Sequence, residues 1–245
     1  MPEPEWTRIG TSSTDKDVFS TINWPDGSAT THLLGKVDLY VEIYKVKNDS
    51  SSGQTNYACI PHIKQWPGRK LDGGAPAYNK YTMLEQDWTY NTFGDLEITD
   101  WGPTEPKTGS IDWSATVSAG TSGSGTGLSV SYNVPYISRD ISSDYNETVS
   151  HEYTYPKSLH KPFDTEARKQ IVDLKNFGEA RLDDEPQCPG RWYEPCPQEL
   201  LSVHISSEFM AGIDKPDSPP LNRPYRKITS STNIDKFISL RTIGL

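Results

Sequence analysis

Cysteine is scarce: Cys59, Cys188 and Cys196 are the only three in 245 residues, too few for a scaffold built on disulfides. Basic side chains are also short, 24 Lys and Arg against 33 Asp and Glu, which leaves a formal net charge of −9. With no basic stripe anywhere, nucleic acid is not expected as a partner, because phosphate contacts need clustered Lys and Arg. No stretch approaches the ~18 apolar residues of a membrane-crossing helix. The opening MPEPE has neither the charged start nor the apolar run of a signal peptide, so the expectation is a protein that is not exported or the mature form of one that is. No period of roughly 20 to 50 residues repeats, which removes solenoids and propellers.

Catalytic signatures are missing too. The glycines of residues 120–127 are followed by neither a Walker lysine nor a helix, so they do not form a phosphate loop. Gly123-Ser124-Gly125 is too short for a nucleophile elbow and falls at a hairpin tip instead of a strand-to-helix turn. The five histidines, His32, His62, His151, His160 and His204, are scattered. His151-Glu152 with His160 has the right groups for a metal or for proton transfer, but no partner spacing marks it, and ordinary histidines account for it. The acidic residues Asp15 and Asp17, or Asp183 and Asp184, would serve a glycosidase only if the fold set two carboxylates at the required separation.

The cysteines support two readings. Cys188 and Cys196 bracket PGRWYEP, and a loop of this size closes as a disulfide when its ends approach within about 6 Å. The sequons at Asn48 and Asn146 are compatible with the oxidising, extracellular or surface-associated setting that a disulfide implies. Alternatively Cys59, His62, Cys188 and Cys196 supply four ligands of zinc type. The seven residues between the last two, against the usual two to four, count against zinc, so no metal, cofactor or catalytic residue is expected.

What is present is aromatic and strand-forming. Seven Trp and thirteen Tyr accompany a hydrophobic share of only 33%, the profile of a folded β protein with much surface. In residues 37–46, VDLYVEIYKV, Val37, Leu39, Val41 and Ile43 alternate with polar and aromatic neighbours, which reads as a core strand. Trp24-Pro25-Asp26-Gly27 before it is turn chemistry. Residues 57–65 read as a short strand broken by Pro61 and suited to an edge. Residues 66–81, rich in Gly and Pro, read as a long loop, and Trp66, Tyr78, Tyr81, Trp88 and Tyr90 in or after it form a candidate binding surface for a glycan or a partner protein. The plainer reading is that these rings cap one end of a sandwich. In residues 164–177 Asp164 is placed to cap, Ala167, Ile171 and Leu174 make one apolar stripe, and Gly178 supplies a stop, so the only helix is expected there. The expectation is an all-β, sandwich-like and mainly antiparallel fold with one docked α-helix. Residues 1–17 form an arm and 18–245 one β-rich domain, with a sub-boundary near 156–163.

The longest unbroken period of two lies in residues 111–136. Trp113, Ala115 and Val117 alternate with Ser and Thr, a Gly/Ser tip follows, and Leu128, Val130 and Tyr132 alternate with Ser and Asn. This is a hairpin with one apolar and one hydroxyl-rich face. Each arm is close to the roughly 9 to 11 residues that cross a bilayer as a tilted strand. In this respect the stretch resembles the stem of β-barrel pore-forming toxins of the aerolysin and leukocidin type, which implies insertion of those six residues toward lipid. The tip brings no apolar residue to enter a bilayer first, which weighs against insertion. Asp100-Trp101-Gly102-Pro103, Ser131-Tyr132-Asn133-Val134-Pro135 and Asp144-Tyr145 are similar to uncharacterised secreted β proteins of archaea and bacteria, a resemblance that implies no activity. The leading functional expectation is a non-enzymatic extracellular or particle-surface protein that binds or assembles, its partners being copies of itself or a surface protein or glycan. A pore-forming toxin is the alternative, the one reading with a membrane partner, and a carbohydrate-active enzyme is the third.

Overall fold

The computed structural model describes residues 6–47, 55–88, 96–102, 109–117, 128–137, 139–143, 148–154, 168–182, 199–216 and 224–239. In chain order their strands are β1 (Thr7–Asn23), β2 (Ala29–Lys47), β3 (Thr55–Pro67), β4 (Tyr78–Asp87), β5 (Leu96–Gly102), β6 (Gly109–Val117) and β7 (Leu128–Ile137). There follow β8 (Arg139–Ser143), β9 (Thr148–Thr154), β10 (Val172–Lys175), β11 (Phe177–Leu182), β12 (Glu199–Asp214) and β13 (Tyr225–Ser239).

The alternation of residues 37–46 does what its pattern requires. Val37, Leu39, Val41 and Ile43 are buried on one face of β2, whose other face carries Asp38, Tyr40 and Glu42. β1 reaches β2 through the expected turn: the Gly27 amide donates to the Trp24 carbonyl (3.0 Å), and Gly27 takes a φ of 84°, a conformation glycine adopts without strain. β3 pairs with the other edge of β2, matching Leu39 to Ile63 and Ile43 to Cys59. The first sheet runs β1-β2-β3-β11-β5, with β10 also on β3; the second runs β13-β12-β4-β9-β8; β6 and β7 form a two-stranded sheet of their own. Every pairing among the described residues is antiparallel.

The two large sheets share one core. Val37, Leu39, Ile43 and Ile63 from the first join Leu84, Val203, Ile205 and Phe209 from the second in a single apolar cluster. Each such side chain contributes about 1.5–3 kcal/mol on leaving water. The sheets approach closely where β2 carries Gly35, since a Cβ there would run into the Phe209 ring. The core also has a polar seam. Asn176, fully buried, accepts from Gln86 Nε2 (2.8 Å) and donates to the Leu84 carbonyl (3.4 Å), and its Nδ2 lies 3.0 Å from His151 Nδ1. Gln65 donates to the Tyr81 carbonyl (3.2 Å) and accepts from the Thr82 hydroxyl. These contacts tie the first sheet to the second with polar groups that would be costly to bury alone.

Several expectations are corrected. The helix expected over residues 164–177 is not seen: among the described residues Arg168 and Lys169 have helical backbone, and from Val172 the chain is strand. The reason is tertiary. β10 and β11 continue one register along β3, in which Val172, Leu174, Ala180 and Leu182 bury a period of two that overrides helix propensity. Pro61 does not mark an edge, because β3 is central. The register from Lys175 opposite His62 to Gly178 opposite Cys59 sets Asn176 opposite Pro61. The ladder is interrupted there, where proline has no N–H to give. The Asn176 amide turns instead to the seam. The loop expected over residues 66–81 is shorter: β3 runs to Pro67, a 3-10 turn covers Gly68–Lys70 and β4 starts at Tyr78. Its middle is pinned to β2, the Ala75 amide donating to the Leu33 carbonyl (2.8 Å), and Ala75 and Ala77 are buried. Residues 7–17, read as part of an arm, lie in β1 against β2. The sub-boundary near 156–163 lies outside the described residues.

Candidate functional site

β6 and β7 keep the hairpin that their alternation demands. Trp113 stands opposite Tyr132, Ala115 opposite Val130 and Val117 opposite Leu128, while Ser114 meets Ser131 and Thr116 meets Ser129. Opposed residues share a face of a ladder, so the apolar set occupies one face of this small sheet and the hydroxyl set the other. The arms are nine and ten residues long, the span that crosses a bilayer as tilted strands (about 9–11). Among the described residues no ladder joins the hairpin to either large sheet; β7 instead runs beside β10. An isolated two-stranded sheet is at best marginally stable. Among the described residues, leaving the body would break no shared backbone ladder. The tip and Ala119 lie outside the described residues.

The outer face of the first sheet carries a second feature. β1, β2 and β3 shape an open hollow of about 450 Å³, lined among others by Ser13, Asp15, Asp38, Tyr40, His62 and Lys64. Lys36 bridges Asp15 (3.2 Å) and Asp38 (3.1 Å), and Trp66 Nε1 donates to Asp38 Oδ2 (2.6 Å). Those two carboxylates raise the Lys36 ammonium above its ordinary value. His62 pairs with Asp173 of β10.

The third feature lies on the same face, farther along β11. Glu179 is buried, accepts from Asn56 Nδ2 (2.6 Å) and stands opposite Asp100 of β5. Burial pushes its carboxyl up to about 7; the Asp100 charge adds to this, while hydrogen bonds from Asn56 and Thr99 oppose it. Asp100 is itself raised by burial.

The sequence-based binding residues are dispersed. Trp66, on the first sheet, hydrogen-bonds Asp38, which lines the hollow. Tyr78 opens β4, with the Arg69 and Arg168 guanidinium groups 4.2 and 5.3 Å from its ring centre. Tyr81 lies on the second sheet, where burial first and then Glu152, Glu208 and Glu85 push its phenol up to about 12. Trp88 is fully buried in the core, and Tyr90 lies outside the described residues. The zinc reading loses its first pair, because Cys59 is buried toward the core while His62, three residues on, falls on the outer face of β3. No cluster fit to hold a metal occurs among the described residues. Cys188 and Cys196 lie outside those residues, so the disulfide gains no support; Cys59 is free. His151, a candidate for metal or proton chemistry, is buried in the seam. Sequence reading missed the hollow because its residues come from three strands and no local motif joins them. Glu179 gave only the faint signal of an acid between the small residues Gly178 and Ala180 of β11.

No protein-family pattern matches the chain and no curated protein matches it, so the resemblance to uncharacterised secreted proteins gains no support. Among solved structures the chain is similar to the Clostridium perfringens NetB toxin in its membrane-inserted form, at 8% identity and a TM-score of 0.38. The match covers 92% of this chain and 95% of that one. A likeness this distant decides nothing about function.

Proposed function

We propose that the protein is a pore former that self-assembles on a membrane and inserts β6 and β7 as two strands of a shared barrel. One observation carries this: an amphipathic hairpin of bilayer-crossing length forms a sheet apart from the sandwich. In a closed barrel the apolar face meets lipid, the Ser/Thr face lines water, and ladders between copies satisfy every backbone group. The acidic surface and sandwich body would remain outside the bilayer as the assembling part.

The test is a scan of environment-sensitive fluorophores at single cysteines placed from Ser129 to Asn133, with Cys188 and Cys196 changed to Ser, before and after mixing with vesicles. The expected signal alternates, apolar at Val130 and Tyr132 and aqueous at Ser129, Ser131 and Asn133. A uniform aqueous signal on membrane-bound protein overturns the proposal. The second reading, binding or assembly on a surface without insertion, is favoured by the hollow on the first sheet, and that uniform signal is the outcome it expects.

A further inference from the structure

We propose that the hollow formed by β1, β2 and β3 is a binding site for a neutral glycan, a reading that does not depend on membrane insertion. Its volume of about 450 Å³ lies in the range of small-ligand sites (roughly 300–1,000 Å³). Its floor is a sheet face, so the side chains that meet the ligand stand on rigid strands. Tyr40, 38% exposed, offers a ring face of the kind that packs against the C–H face of a sugar.

The charges choose among ligands. Asp15 and Asp38 disfavour an anion, and Lys36 already spans both of them. Lys64, exposed at the hollow and without an ion pair among the described residues, disfavours a cation and is left to donate hydrogen bonds. What remains complementary is a neutral molecule with many hydroxyls: carboxylate oxygens accept from them, while Lys64 and the Ser13 hydroxyl donate. Trp66 holds Asp38 in place through its 2.6 Å hydrogen bond, so an acceptor is oriented before any ligand arrives.

The experiment applies the full chain to an immobilised panel of neutral, sialylated and amine-bearing oligosaccharides, and measures affinity for any hit by calorimetry. Tyr40→Ala, Tyr40→Phe, Lys64→Ala and, on the far sheet, Phe237→Ala are compared, with thermal unfolding of each as the folding control. The expected result is binding of a neutral member. Affinity should fall at least tenfold in Tyr40→Ala and Lys64→Ala, stay within about threefold in Tyr40→Phe and be unchanged in Phe237→Ala. No binding to any neutral glycan, binding confined to sialylated or amine-bearing ones, or neutral-glycan binding untouched by Tyr40→Ala and Lys64→Ala in folded protein overturns the proposal. Failure of the fluorophore scan would leave these outcomes unaltered, because they are read without a membrane.

Discussion

Glu179 sets a pH dependence that a single substitution should remove. Its carboxyl titrates near 7 in the folded protein and near 4.5 when unfolded, because burial penalises the charged form. A group whose folded value is raised stabilises the fold fully below the unfolded value and loses that contribution as pH rises through the folded one. Stability should therefore fall between about pH 4.5 and 7, by about 3 kcal/mol in total from the displacement, and level off above. Glu179→Gln keeps an acceptor for Asn56 and has no charge to bury. Urea denaturation followed by tryptophan fluorescence at pH 4.5, 6 and 8.5 measures both proteins. The variant should match the wild type at pH 4.5 and exceed it by up to about 3 kcal/mol at pH 8.5. Asp100→Asn, which removes the charge across the ladder, should move the wild-type window to lower pH. If Glu179→Gln keeps the full wild-type slope, the assignment of that slope to Glu179 is wrong.

Three further outcomes follow from the core. Asn176→Leu removes the partner of Gln86 Nε2 and His151 Nδ1, and should cost about 2–3 kcal/mol in the same denaturation assay. Leu39→Ala, at a site with 1% exposure between the sheets, should cost about 3 kcal/mol by chemical denaturation. Gly35→Ala drives a methyl into the Phe209 ring and should lower stability by about 1–3 kcal/mol, with recovery in the double variant Gly35→Ala/Phe209→Leu read from paired denaturation curves.

Strands with one buried face were legible, and the rest was hidden for identifiable reasons. β2 and the β6–β7 hairpin declare themselves because alternation is local and their two faces differ in chemistry. β1 is polar on both faces over most of its length, with only Val18 and Ile22 buried, so nothing in it signals an edge strand. Around β10 and β11 a helical spacing coexists with a period of two, and only the neighbouring β3 decides between them. Pro61 misleads because its missing N–H is accommodated by a gap in one ladder at Asn176, a contact more than a hundred residues away in the chain. The hollow and Glu179 both depend on strand order, which periodicity does not encode.

The hairpin's two faces make opposite demands on a charge, and that difference tests insertion most directly. Val130→Arg places a cation on the lipid-facing side of the proposed barrel, where it costs about 2–4 kcal/mol per copy near the bilayer centre. Ser131→Arg, one residue on, places it in the water-filled lumen. Dye release is measured from vesicles of a total lipid extract that includes glycolipids, with circular dichroism and thermal unfolding confirming that both variants fold. The account predicts release by the wild type and by Ser131→Arg, the latter with a shift toward anion selectivity, and none by Val130→Arg. Absence of release by the wild type, or equal release by both variants, contradicts it.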